Sequence, residues 1–118
     1  MPKRIQLGYY DLEQKKQYNL GLPGLAQKCV WSDDSGFLYC AVLTSSFQKE
    51  FILEDWYSGG FVSKDLFWRM DLKSGQKERL FNDSEKYPAV DAFNLILFGE
   101  ELIFVDKLSG NLISRKWQ

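Results

Sequence analysis

The chain has 118 residues, 15 Lys and Arg against 16 Asp and Glu, and no histidine. That length holds at most one domain, large enough to bury a core. The balanced, interspersed charge excludes the basic stripe that nucleic acid requires. The lack of histidine excludes Ser-His-Asp and Cys-His catalysis and any His-based zinc site, and two cysteines cannot make a four-thiolate one. Four Trp, six Tyr and nine Phe favour pleated surfaces.

Ile5-Gln6-Leu7-Gly8-Tyr9-Tyr10-Asp11-Leu12 puts Ile5, Leu7 and Tyr9 on one face of a strand. Glu13–Lys16 turns, Gln17–Leu20 returns as a short partner, and Gly21-Leu22-Pro23-Gly24 breaks the pattern. Cys29–Val42 predicts a hairpin around Asp33-Asp34-Ser35-Gly36, where Gly supplies the turn conformation and Asp side chains bond nearby amides. A four-residue turn sets Ser32 opposite Phe37, Trp31 opposite Leu38, Val30 opposite Tyr39, and Cys29 opposite Cys40. The cysteines then meet at a non-hydrogen-bonded site with Cα atoms about 4.5–5.5 Å apart, the short end of disulfide geometry. A Cys29–Cys40 disulfide implies an oxidising compartment; the alternative is two reduced, buried thiols in a cytosolic protein.

Thr44–Lys64 lacks clean periodicity and reads as a long inserted loop, a length at which loops are often functional. Its Asp55, Trp56, Tyr57 and Phe61 are the candidate ligand- or partner-binding residues, because aromatic side chains dominate binding hot spots. The same rings could instead fold back over the hairpin core. Asp65–Leu72 alternates, with Leu66, Trp68, Met70 and Leu72 on one face and Phe67, Arg69 and Asp71 on the other. Lys73-Ser74-Gly75-Gln76 turns into Lys77–Phe81, and Asn82–Pro88 is a polar connector. Phe93–Phe98 is a continuous apolar run, expected to be a strand buried on both faces. Gly99-Glu100-Glu101 turns it, Leu102–Asp106 is the next strand, Leu108-Ser109-Gly110-Asn111 turns again, and Leu112–Trp117 closes the series. No helix is predicted, since Glu13–Tyr18 is too short to stand alone.

Two segments share a layout. Tyr9-Tyr10-Asp11-Leu12-Glu13-Gln14-Lys15-Lys16 aligns with Arg69-Met70-Asp71-Leu72-Lys73-Ser74-Gly75-Gln76, and Val30–Tyr39 aligns more loosely with Asn94–Phe104. Counting strands gives two, then four, then three. Four-stranded antiparallel sheets packed radially are propeller blades; a small β-sandwich is the alternative. The acidic residues Asp33, Asp34, Glu54, Asp55, Glu100 and Glu101 fix no carboxylate pair of glycosidase spacing. The chain also lacks the Asp-x-Asp-x-Asp-Gly run of a calcium loop. No metal, cofactor or catalytic residue is expected. Asn82-Asp83-Ser84 fits a glycosylation sequon, a pattern common by chance.

Trp31-Ser32-Asp33-Asp34-Ser35-Gly36-Phe37-Leu38-Tyr39 resembles the Trp-Ser-x-Asp-Gly-x-x-Leu-x-Phe/Tyr hairpin of TolB-type and dipeptidyl-peptidase propellers, with Ser35 as one extra residue. Phe98–Phe104 resembles a degenerate second copy. Ser32, Asp34, Gly36 and Tyr39 also match the Asp-box spacing of sialidase-like propellers, a turn-stabilising feature without catalysis. Lys28-Cys29-Val30-Trp31-Ser32, Leu38-Tyr39-Cys40-Ala41-Val42, Asp55-Trp56-Tyr57-Ser58-Gly59 and Asp91-Ala92-Phe93-Asn94-Leu95 look like the C-terminal blades of uncharacterised propeller proteins of small-genome candidate-phyla bacteria. That resemblance covers residues 5–117 and implies a piece of a longer, membrane-anchored, extracytoplasmic chain.

The expectation is therefore an all-β propeller fragment of about two and a quarter blades. Residues 5–20 supply outer strands of an incomplete blade, 26–81 a full blade with loop 44–64 inserted, and 90–117 three strands of a last blade. Closed rings need at least about four blades, so the expected partners are remaining blades or other copies of the chain, with a protein or glycan ligand and no nucleic acid. No apolar run approaches the ~18 residues of a membrane span, and Met1-Pro2-Lys3-Arg4 precedes no apolar segment of the signal-peptide kind. The expected role is a non-catalytic binding or scaffold module at the bacterial cell envelope, with a cytoplasmic location as the alternative. The runner-up roles are a regulatory propeller beside a hydrolase or peptidase and a glycan-binding or glycan-processing propeller.

Overall fold

A computed structural model describes residues 6–23, 25–34, 36–43, 64–83 and 85–116. These residues form nine strands in three antiparallel sheets, with one 3-10 turn (Ala26–Lys28) and no α-helix among them. Sheet 1 pairs β1 (Gln6–Asp11) with β2 (Lys16–Pro23). Sheet 2 runs β3 (Cys29–Trp31), β4 (Phe37–Leu43), β5 (Asp65–Asp71) and β6 (Lys77–Leu80) in spatial order. Sheet 3 runs β7 (Ala92–Phe98), β8 (Glu101–Asp106) and β9 (Leu112–Lys116). All-β architecture and the two–four–three strand count agree with the sequence reading. β2 does not stop at Leu20: it carries on to Pro23 through Gly21 at φ 70°.

The three sheets stack in chain order. Leu7 and Leu20 of sheet 1 pack on Leu38, Cys40, Val42 and Met70 of sheet 2. The opposite face of sheet 2, with Tyr39, Ala41, Phe67 and Leu80, packs on Ala92, Leu95, Leu102 and Phe104 of sheet 3. Sheet 2 is thus covered on both faces, and alternation along β4 and β5 divides their side chains between two cores. Within the second interface β7 lies against β3 and the Ala26–Lys28 turn.

Among the described residues sheet 3 is covered on one face only. Leu102 and Phe104 are fully buried, whereas Ile96 is 57% and Phe98 72% exposed. The expectation that Phe93–Phe98 is buried on both faces is therefore wrong for β7. The ladder slips between Phe93 and Ile96, where Asn94 takes a φ of 53°. Leu95 and Leu97 then turn toward the core while Ile96 and Phe98 point away from it. A continuous apolar run records a greasy strand but not whether a neighbour covers its second face.

The aligned segments at Asp11 and Asp71 share one turn. The Asp11 carboxylate accepts the backbone N–H of Glu13 (2.9 Å) and Gln14 (3.1 Å), and the Asp71 carboxylate accepts those of Lys73 (3.0 Å) and Ser74 (3.4 Å). The expected turn at Leu108–Asn111 is built in a similar way on Asp106, which accepts the Leu108 N–H (3.2 Å) and the Ser109 hydroxyl (2.8 Å), a likeness the sequence alignment did not pick out. Four residues after each Asp the chain enters the left-handed region, at Lys15 (φ 55°), Gly75 (φ 78°) and Gly110 (φ 75°). Lys15 alone of the three bears a side chain that this conformation disfavours, by about 1–2 kcal/mol.

Part of that penalty is offset by the greater freedom glycine has in the unfolded chain. Lys15→Gly is accordingly expected to raise stability by about 0.5–1 kcal/mol, read as a higher urea midpoint with an unchanged slope. The same turns make stability acid-sensitive. Burial would raise the Asp106 carboxyl, but bonds from Ser109 and from the Asp91, Leu108 and Ser109 backbone outweigh it and hold the carboxyl below its usual range. Asp71 is lowered likewise, against burial, by Lys73 and Ser74. Groups lowered in the folded state stabilise above their unfolded value near about 3.9 and lose that contribution as pH falls through the folded value. Urea midpoints are expected to drop below about pH 4, and Asp106→Asn to flatten that acid limb.

Candidate functional site

Three features compete for a functional role: the cysteine pair, a buried ion cluster at one end of the strands, and an open cleft at the other end. Asp55, Trp56, Tyr57 and Phe61 lie outside the described residues.

Cys29 and Cys40 face each other in the β3–β4 register, with sulfur atoms 2.08 Å apart and Cα atoms at 4.1 Å. The turn that sets this register is the expected one. Ser32 N–H donates to the Phe37 carbonyl (2.9 Å), Phe37 N–H to the Ser32 hydroxyl (3.0 Å), and Ser32 Oγ–H and Gly36 N–H both to the Asp34 carboxylate (2.7 and 2.9 Å). The Ser32 hydroxyl, then the Gly36 amide, lower the Asp34 carboxyl. The Asp-box residues thus bond as a turn lock. A bridge closing so short a loop contributes roughly 2–3 kcal/mol by restricting the unfolded chain. Cys40 is fully buried, so the pair is a staple and not an exposed redox centre.

At the start of β5 and β7 the chain buries a charge cluster that sequence reasoning missed. The Lys28 ammonium donates to Asp65 Oδ2 (2.6 Å), Asp91 Oδ1 (2.7 Å) and the Ala92 carbonyl (2.7 Å), and all three charged side chains are fully buried. Asp65 Oδ2 also accepts the Ala92 N–H (2.8 Å), and Asp91 N–H reaches the Asp106 carboxylate (3.1 Å). An ammonium has three protons, and here each has an acceptor. A catalytic lysine needs an accessible, deprotonated nitrogen; this one is saturated and sealed. The arrangement reads as a pin joining the 3-10 turn, the base of β5 and the base of β7. The available signal was a lysine just ahead of one strand and an aspartate at the head of two others.

At the opposite end of the strands, where the β1–β2, β3–β4 and β5–β6 turns converge, an open cleft of about 930 Å³ separates sheets 1 and 2. Its walls carry Tyr9, Tyr10, Tyr18 and Trp31. Tyr9 stacks on Tyr18 (centroids 4.9 Å, 16°) and meets Trp31 edge to face (5.9 Å, 82°). Trp31 is 45% and Tyr10 55% exposed. Asp11, Glu13, Asp34 and Lys73 also line it, three carboxylates against one ammonium. Burial, then Tyr18 and Asp11, push the Tyr9 phenol up, so its ring stays neutral near pH 7.

No three or more described Asp, Glu or Cys side chains gather as a metal site. Among the described residues no helix is long and apolar enough to cross a membrane. No family model, curated protein or solved structure matches the chain.

Removing the cation from the pin leaves two buried carboxylates uncompensated. Lys28→Met is expected to cost about 3–5 kcal/mol, measured by urea unfolding, whereas Lys77→Met, at an exposed position, is expected to change stability by under about 0.5 kcal/mol. Equal effects would remove the pin reading.

Proposed function

We propose that the chain is a non-catalytic binding and scaffold module: a piece of a TolB-like β-propeller, working at the bacterial cell envelope. The observation that carries this reading is the order of stacking. Sheets 1, 2 and 3 follow one another face to face, sheet 2 is sandwiched between the other two, and the leading strand of sheet 3 lies against the leading strand of sheet 2. Under this reading β7, β8 and β9 correspond to β3, β4 and β5, and β1–β2 to β5–β6. The loose alignment of Val30–Tyr39 with Asn94–Phe104 and the closer one of Asp11 with Asp71 both fall into place. A two-layer sandwich would leave one face of sheet 2 open.

A ring needs at least about four blades, so further sheets come from more of the same chain or from other copies. The outer face of sheet 3, with Ile96, Phe98 and Leu112 exposed beside Ile103 and Val105, is where the next sheet belongs. An envelope location is supported by the cysteine pair at bonding distance, because such bridges persist in oxidising compartments. The absence of a histidine and the saturated Lys28 support a non-catalytic role.

The reading is tested by sedimentation of the 118-residue chain beside an Ile96→Lys/Phe98→Lys variant. Concentration-dependent association of the parent and a monomeric variant of equal thermal stability are expected. A parent that stays monomeric at concentrations up to about 1 mM, or a variant that associates equally, would count against docking through this face.

A further inference from the structure

We propose that the cleft between the turn ends of sheets 1 and 2 binds an arginine-bearing peptide segment, its guanidinium seated against the Trp31 and Tyr9 rings and held by Glu13 and Asp34. This site is independent of the stacking face of sheet 3 and lies at the other strand end from the base of the 44–64 segment.

Size, aromatic surface and charge each narrow the occupant. A volume of about 930 Å³ lies near the top of the ligand-cleft range of roughly 300–1,000 Å³, too large for a lone ammonium group and suited to a short stretch of chain. Trp31, 45% exposed, stands at right angles to the partly buried Tyr9 ring and offers aromatic surface to a flat, delocalised cation. Asp11, Glu13 and Asp34 against Lys73 leave the walls net negative by two, which repels anionic ligands and draws basic ones. Asp34 is already fixed in place by Ser32 and Gly36, so its carboxylate is presented without a further ordering cost.

The same chain shows what fills such an aromatic box. Between sheets 2 and 3 the Arg115 guanidinium sits 5.3–5.5 Å from the centroids of Phe67, Tyr87 and Phe104 and 5.8 Å from that of Phe81. It also donates to the Pro88 carbonyl (2.7 Å). There the cation is internal. The cleft offers Trp31 beside the stacked Tyr9–Tyr18 pair, adds three carboxylates, and is open on its solvent side.

Calorimetric titration of the intact chain with tri-arginine amide tests the assignment, with tri-serine amide and the N-acetylglucosamine trimer as comparisons. Saturable binding of tri-arginine alone is expected, weakened about tenfold by Trp31→Ala and by Glu13→Lys. Glu13 is a solvated turn residue, so its variant keeps the test meaningful if Trp31→Ala fails to fold. Four results would overturn the proposal. They are no saturation by tri-arginine up to about 10 mM, equal binding of tri-serine, binding of the glycan trimer in place of tri-arginine, and tri-arginine binding untouched by Glu13→Lys. Each is read independently of self-association, so failure here is separable from failure of the stacking proposal.

Discussion

The buried Lys28 ammonium is the interaction on which the arrangement of sheets depends. Apolar packing brings the sheets together but does not fix how one slides over the next. Lys28, Asp65, Asp91 and the Ala92 carbonyl do, because a charge out of water tolerates little displacement from its partners. The cluster ties the entrance of β3 to the first residues of β5 and β7, three segments far apart in sequence. The Asp65–Val90 bridge (N to O 2.9 Å) and the bond from Lys107 N–H to the Asp91 carbonyl (2.7 Å) join at the same place. One end of the stack is thereby held by ionic and backbone bonds, and the other end, among the hairpin turns, is left open.

The disulfide and the pin act at different levels. Cys29 and Cys40 join adjacent strands of one sheet and secure β3, a three-residue strand with few ladder bonds of its own. Lys28 immediately precedes that strand. The staple thus steadies the platform from which the ammonium reaches across to sheet 3, and the pin converts that local order into alignment between sheets.

Local features were legible in the sequence because their causes are local. The Ser32–Phe37 turn fixed the pairing of Cys29 with Cys40, and the Asp11 and Asp71 turns announced themselves by the shared layout of residues 9–16 and 69–76. What depended on distant partners was hidden. Lys28 looks like any surface lysine until Asp65 and Asp91 are brought to it, and charged side chains are rarely buried. Phe98 looks like core until the strand proves to be packed on one face only among the described residues. Tyr9 and Trp31 were legible as strand residues, but not as the walls of a cleft, which forms only where the turn ends of two sheets come together. The Leu108–Asn111 turn was legible through Gly110, but the role of Asp106 was not, because it also bonds Asp91 from a distant segment.

The backbone pairing of Leu43 with Asp65 has a practical corollary. It sets side by side the two residues that flank positions 44–64, with Asp65 anchored beneath by Lys28. Lengthening a segment whose ends are already clasped costs only about 0.6 kcal/mol for each doubling. This position is therefore a natural graft point, where a foreign epitope or an entire small domain can be spliced in without asking anything new of the scaffold below.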